Sequence, residues 1–489
     1  MRTIQAQSTP RLILMLSVCA FILFLACLFY GVIIPQTPGR MERPSAALIP
    51  EEPLWAALAA LPLPIPRHPH LVAVCLIGVA IVMFAAYGLA VYISWRQPAH
   101  AKSLGLVGGA ALLFFLVGAL ALPNVNTDIF NYIMRGRVAA VYMSNPYVVP
   151  ADTFPDDPIY PYASHRYTKY TGGKLPAWML VNIGLASISG HHPSTVLFVY
   201  RLAFLLCNAA NLALIALILH QLRSPFMLTG LIIYAWNPII AIYGQSKTDT
   251  LMVFFLLLAV LLITRGSTRL AVIPLGCSAA VKLITLPLII VYGLRELRLR
   301  RWHELAWLVL LLGLTVMGLY APFWEGDNLL FRHLRMARGG GSEASSLFRP
   351  LLVAGFGGLL LWAGFRQDGS NQKLLRSWAV VMLYFALFLT KISFAWYLMT
   401  LVALVGLIVE WRFVLSTILL SFSSFLFNSW QATTTPAFPL PNLFSLPRLV
   451  VYLTPLSLVV LCIILYILWQ TMRQQRQAQS KRLASDPGL

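Results

Sequence analysis

An aspartate, a tyrosine and an arginine stand at positions 128, 132 and 135 in the run TDIFNYIMRGRVAAVYMSNPYVVP. From Asp128 to about Tyr142 the residues favour a helix. Asn126, Thr127 or Asp128 can cap its start. Ser144-Asn145-Pro146 ends it, because the residue before a proline is pushed out of the α region. At about 100° per residue, Asp128, Tyr132, Arg135 and Ala139 share one face, and Arg137 points the opposite way. A surface helix over 128–142, lying on the outer membrane face, would present a carboxylate, a phenol and a guanidinium to one cleft. These groups suit transfer of a group from a phosphate ester to a hydroxyl: the carboxylate accepts the acceptor's proton, and cations stabilise the charge that grows on the departing phosphate. Two plainer readings stay open. Asp128 can simply cap the helix and pair with Arg135, and Tyr132 can be an aromatic at a membrane interface.

The elements that must position these groups follow from composition. The chain has 489 residues, of which 59% are hydrophobic and only 11% charged; its mean hydropathy is +0.77. A soluble chain carries roughly a quarter charged residues, so a soluble enzyme, a disordered chain and a secreted disulfide scaffold are excluded. Its apolar runs do not alternate as a membrane β-barrel requires. The expected fold class is an all-α polytopic membrane protein forming a single integral domain over 1–489. The net charge of +20, from 36 Lys+Arg against 16 Asp+Glu, fits Lys and Arg collected in cytoplasmic loops rather than a nucleic-acid surface. The six cysteines lie in apolar runs without a CxxC or Cys/His pattern and read as packing residues.

A helical span needs about 20 apolar residues. Candidates lie near 12–34, 71–94, 103–122, 195–220, 227–244, 250–264, 303–323, 347–365, 375–390, 394–410, 413–430 and 448–470. The first reads as an uncleaved signal anchor. The run 269–294 is apolar but broken by Pro274, Gly276, Lys282 and Pro287, with arginines at both flanks. A re-entrant hairpin satisfies both facts; one ordinary span beside a miscounted neighbour is the alternative. With the hairpin, twelve spans place both termini and the 471–489 tail in the cytoplasm. The long polar segments 35–70, 123–194 and 324–346 then fall outside. The last contains Gly339–Gly341 and is a possible lid. The outer segments are rich in cations, among them Arg166, Lys169 and Lys174, which points to an anionic ligand such as a lipid phosphate.

The first loop, continuing through DDPIYPYASHRYTKYTGG, resembles the first large outer loop of GT-C glycosyltransferases that use polyprenyl-phosphate sugars. It is most similar to that of the bacterial polyprenyl-phosphate-mannose-dependent mannosyltransferases. The matching residues are Asp128, Tyr132, Gly136 and Asn145-Pro146-Tyr147. Three later stretches resemble that family's landmarks in the same order: WNPIIAIYGQSKTDTLMVFFLLLA with Gln245, Lys247 and Asp249, AVKLITLPLIIV followed by RELRLRR, and SFAWYLM. The resemblance covers roughly residues 110–410. The chain departs from the pattern in two places. Asp128 is followed by Ile129 rather than a second acid, and Lys247 stands where the family has His or Asn.

The resemblance implies a GT-C-like bundle of about 12 helices and an inverting transfer of mannose from a polyprenyl-phosphate donor to a glycan or glycolipid hydroxyl at the outer face of the cell membrane. Asp128 would be the base. Arg135, Lys247, Arg349 and Lys391 are candidates for the donor phosphate, and Tyr132, His165 and Asp249 for hydroxyl contacts. No metal site is assigned, and a divalent cation stays open. Two other functions compete. A transporter or flippase for a lipid-linked saccharide would explain the buried cations, but such folds show repeated halves and this chain shows none. An O-antigen-ligase-like transferase would rely on His333 and the arginines near 332–338. Nucleotide-sugar chemistry lacks support, since there is no DxD, Walker A or GxGxxG run.

Overall fold

A computed structural model describes residues 2–36, 56–57, 60, 69–95, 97–121, 128–171, 174–325, 348–389 and 395–433. Among the described residues the regular structure is helix, without strands. The long helices are α1 (Arg2–Leu28), α2 (Pro69–Ser94), α3 (Ala101–Leu120), then α4 (Asp128–Ala140), α5 (Pro176–Ile188) and α6 (Pro193–Gln221). They continue as α7 (Met227–Ala235), α8 (Pro238–Tyr243), α9 (Asp249–Thr264), α10 (Val272–Val281), α11 (Leu286–Arg298) and α12 (Trp302–Tyr320). The last four are α13 (Phe348–Phe365), α14 (Asn371–Tyr384), α15 (Met399–Ile408) and α16 (Trp411–Thr433). Among the described residues seven helices are long and apolar enough to cross a membrane: those containing Pro10–Ile33, Val74–Ser94, Ala101–Leu120, Pro193–Gln221, Trp302–Phe323, Asn371–Leu389 and Trp411–Ser429. The chain is a multi-pass membrane protein. The 448–470 run, the 471–489 tail and nearly all of the 35–70 and 324–346 segments lie outside the described residues.

One expected span, 227–244, and the run 269–294 expected to be broken are each divided ahead of a proline. The run 227–244 divides into α7 and α8 at Asn237, whose backbone is extended (φ −64°, ψ 125°) ahead of Pro238. The Asn237 side chain accepts from the Ile239 amide at 2.9 Å and caps α8. The run 269–294 divides at Lys282 (φ −160°, ψ 128°), followed by a 3-10 turn Leu283–Thr285 and by α11 with Pro287 in its first turn. At 10 and 13 residues, α10 and α11 are about 15 and 20 Å long, each short of the ~30 Å hydrocarbon core. The start of this segment is tied to the head of α12 by the Arg269–Glu304 ion pair (2.9 Å). Its end leads directly into α12. Both flanks therefore lie at one end of the bundle, with Lys282 away from them.

The helix that carries Asp128 is not laid on the surface. Residues Ile129 to Val138 of α4 are all buried, enclosed by α5 and the loop between the two helices. Gly136 permits this, because a Cβ there would stand 2.8 Å from the Asn182 carbonyl oxygen of α5. Asn182 Nδ2 donates to the Tyr132 carbonyl at 2.8 Å, and the Tyr200 hydroxyl donates to Asn182 Oδ1 at 2.6 Å. On the opposite face Arg137 pairs with Asp157 at 2.8 Å, with both side chains fully buried. The remaining polar atoms of that pair are served by the Gly190 carbonyl (2.7 Å), the Tyr142 hydroxyl (3.0 Å) and the Ile159 amide (2.8 Å). A buried charge is tolerated only with such partners. The helix stops at Ala140, two residues before the expected Tyr142, and Met143 takes a left-handed backbone (φ 49°). In the turn that follows, Asn145 Oδ1 accepts from the Tyr147 amide (3.0 Å) and Asn145 Nδ2 donates to the Phe323 carbonyl (3.1 Å). The loop is thereby fastened to the end of α12. The cap candidates Asn126 and Thr127 lie outside the described residues.

Candidate active site

Above the first turns of α4 lies a cavity of about 490 Å3. Asp128, Asn131, Tyr132 and Arg135 line it from α4; Tyr167, Tyr170, Lys174 and Leu175 from the following loop; Thr248 from the turn before α9; Val281 and Lys282 from the break between α10 and α11; and Trp396 and Tyr397 from the 3-10 turn Ala395–Leu398. The face expected to carry Asp128, Tyr132 and Arg135 does point into one cleft, and Arg137 points away from it.

Two ion pairs border it, each contributing one residue to its lining, Asp128 and Lys282, while Lys247 and Asp249 stand outside the lining. Lys247 donates to the Asp128 carboxylate, so the aspartate's ion pair reaches across to the turn before α9 rather than along its own helix to Arg135. Two residues later Asp249 opens α9 and accepts from Lys282 at 2.9 and 3.0 Å. Each lysine also lies over an aromatic face. Lys247 is 3.5 Å from the Trp396 ring centre, Lys282 is 3.9 Å from Tyr397, and Lys174 is 4.6 Å from Tyr132. Such faces hold an ammonium by the ring quadrupole without neutralising it. Lys174 Nζ is also 3.4 Å from the Tyr132 hydroxyl, and the Tyr147 hydroxyl donates to the Lys174 carbonyl at 2.8 Å. Arg135 Nη2 donates to the Tyr167 carbonyl at 3.4 Å. Neither Arg135 nor Lys174 has an ion pair among the described residues.

The charges set one another's protonation. Burial pushes the Asp128 carboxyl up, but Lys247, with smaller help from Lys174 and Lys282, pulls it below the ordinary carboxylate value. Asp128 is therefore an ionised carboxylate, and its side chain is 38% exposed where that of Lys247 is 2%. Desolvation, then repulsion from Lys282, brings Lys174 down to about 7, against the pull of Asp128 and Asp249. Burial, then the two aspartates, holds Tyr132 far above its usual range as a neutral phenol.

The other expected residues are placed as follows. Asp249 is 1% exposed and sits behind Lys282. His165 is exposed, against the Tyr160 ring (centroids 5.4 Å apart), and does not line the cavity. Arg349 stands in the first turn of α13. Lys391, His333, the arginines at 332–338 and Gly339–Gly341 lie outside the described residues. From the sequence Lys174 is only one of several outer cations and Tyr167, Tyr170, Trp396 and Tyr397 carry no site role, although HRYTKYTGGK packs two lysines and two tyrosines into ten residues and SFAWYLM is one of the landmarks. Among the described residues no three His, Cys, Asp or Glu side chains come close enough to hold a metal ion.

The arrangement can take a proton at Asp128 and receive an anion between Arg135 and the lysines. A family model, described as alpha-(1->6)-mannopyranosyltransferase, N-terminal domain, matches residues 44–298. That stretch contains α4, the turn with Lys247 and Asp249, and the break at Lys282. No curated protein and no solved structure matches. The family model spans just over half of the chain and meets the cavity in four of its five lining segments, so the chain belongs to the alpha-(1->6)-mannopyranosyltransferase family, GT-C-type glycosyltransferases that transfer mannose.

Proposed function

We propose that the chain moves mannose, with inversion, from a polyprenyl-phosphate donor to a hydroxyl of a glycan or glycolipid at the extracytoplasmic face, with both termini in the cytoplasm. The observation that carries this is an ionised, partly exposed carboxylate, paired with Lys247, in a cleft also lined by Lys174 and Lys282, each seated on an aromatic ring. Asp128 takes the acceptor's proton as the acceptor oxygen bonds to the sugar's anomeric carbon. The bond from that carbon to the phosphate oxygen breaks, and the electron pair leaves on the phosphate. Arg135 and Lys174, which carry no carboxylate partner among the described residues, stabilise that charge, with Lys247 and Lys282 adding to the field. A single displacement fits a cleft that, among the described residues, Asp128 alone of the carboxylates lines. Tyr132, held neutral, is a hydroxyl contact for the sugar. A lipid-borne donor is supported by a charged cleft built at the mouth of an apolar helix bundle. The outward orientation is supported by the arginine-rich flanks of the 269–298 segment lying together at one end, as a re-entrant hairpin with positive ends inside requires.

The test is incubation of the purified protein in nanodiscs with polyprenyl-phosphate mannose or with a nucleotide-linked mannose, plus a mannose-terminated glycolipid. The expected product carries one added mannose of inverted anomeric configuration and forms from the lipid donor alone. Transfer from the nucleotide sugar only, or retention of configuration, overturns the reading.

A further inference from the structure

The end of the bundle away from the cleft carries a second cavity, of about 500 Å3, between the end of α13 and the start of α14. Helix α11 gives the direction. It begins beside Lys282 at the cleft and runs down to Arg298, and near its end Arg295 Nη2 donates to the Gly369 carbonyl in the α13–α14 turn at 2.6 Å. Trp362, Arg366, Lys373 and Arg376 line this cavity together with Asp368. Its three cations face two carboxylates: Lys373 pairs with Asp368 at 3.3 Å, and Arg376 pairs with Glu410. A positive surplus remains on Arg366, which has no ion pair among the described residues and stands 5.4 Å over the Trp362 ring.

The apolar ridge beside the cavity decides which anion fits. One and four residues before Arg366, Phe365 and Trp362 are 46% and 48% exposed, and Leu361 in the preceding turn is 53% exposed. Charge and exposed hydrocarbon thus meet on one helix end, with an indole at the border, the depth at which aromatic rings sit in a bilayer. A free anion would use the cations and leave the ridge in contact with nothing it favours. A zwitterionic lipid would cover the ridge without answering the surplus charge. We propose that this cavity is a binding site for an anionic phospholipid of the leaflet opposite the cleft, its phosphate between Arg366 and Lys373 and an acyl chain along Leu361 and Phe365. Basic pockets between membrane helices take such headgroups by the same combination of charge and depth. The site does not depend on the sugar donor or on the reading of Asp128.

The experiment titrates the purified full-length protein in detergent with phosphatidylglycerol or phosphatidylcholine, both with brominated acyl chains, and reads native mass and tryptophan quenching. Phosphatidylglycerol binds the wild type, and its quenching falls in Trp362→Phe. The double variant Arg366→Gln/Lys373→Gln binds it about 30-fold more weakly, with transfer activity measured alongside to show that the protein is folded. Should the double variant fail to fold, Arg366→Gln alone, which breaks no ion pair among the described residues, lowers affinity about fivefold. Equal binding of the two lipids by the wild type, unchanged phosphatidylglycerol affinity in the variants, or inorganic phosphate competing at micromolar concentration would each overturn the site.

Discussion

Replacing Asp128 by asparagine keeps the shape of the side chain and removes both the proposed base and the negative charge, and the structure separates the two losses. A positioned general base contributes about 10²- to 10⁴-fold to a rate, so kcat/KM for transfer falls by that factor. The charge matters differently. Lys247, with a side chain only 2% exposed, loses its carboxylate and keeps the face of Trp396. Breaking a fully buried pair costs about 3–5 kcal/mol. The Asp128 side chain is 38% exposed, so water screens part of this interaction, and a loss of about 2 kcal/mol is expected. The double variant Asp128→Asn/Lys247→Met removes the orphaned charge as well. Its stability returns to within about 1 kcal/mol of the wild type, while transfer stays as low as in the single variant. The assay pairs initial rates at subsaturating lipid donor with thermal unfolding followed by tryptophan fluorescence in the same detergent. If the double variant regains both stability and rate, the carboxylate is only a counter-ion for Lys247, and the assignment of a base is refuted. Near-normal transfer by Asp128→Asn alone refutes it as well.

Three further outcomes follow from the same geometry. Lys174, lowered to about 7, loses its charge as pH rises through that value, so kcat/KM for the anionic donor drops about 50-fold between pH 7 and pH 9. Lys174→Arg flattens that limb, Asp128 adds no limb above about pH 4 because its own shift is downward, and a flat wild-type profile from pH 6 to 9 would contradict the role given to Lys174. Gly136→Ala forces a methyl to 2.8 Å from the Asn182 carbonyl oxygen, and overpacking of that kind costs about 1–3 kcal/mol; an unchanged unfolding midpoint would show that α4 and α5 can part without penalty. Asp157→Ala leaves Arg137 charged and fully buried without its carboxylate, costing about 3–5 kcal/mol. The surviving folded fraction keeps the wild-type KM for the donor, because this pair lies on the far side of α4; a raised KM with normal stability would place Arg137 in the donor site instead.

Much of the frame was legible in the residues because its causes are local. An apolar run of membrane length needs no partner to declare itself, so α2, α3 and α6 begin and end within about two residues of their expected positions and α12 within about three, whereas α1 starts well before the apolar run that announced it. Proline also acts locally: Pro146 lies beyond the end of α4, and Pro287 in the first turn of α11 follows the break at Lys282. The break at Asn237-Pro238 was equally visible, but the hydropathy on both sides of it concealed the interruption. The face shared by Asp128, Tyr132 and Arg135 followed from helical periodicity alone.

Which groups meet that face was settled only in three dimensions. Asp128 and Lys247 stand 119 residues apart, and no spacing rule distinguishes Lys247 from Arg135 as the partner of a carboxylate. The choice depends on where α9 begins relative to α4, which brings Lys247 to the Asp128 carboxylate. The aromatic seats of the three lysines are contributed by segments as distant as Tyr132, Trp396 and Tyr397, so the rings appear in the sequence as ordinary interface residues. Depth is decided in the same way: Asp249 and Lys247 share a turn and a similar polarity, yet packing turns one behind Lys282 and aims the other at the carboxylate of α4. Hydropathy and turn chemistry act across a few residues, whereas the pairing and desolvation of a charge depend on everything folded around it.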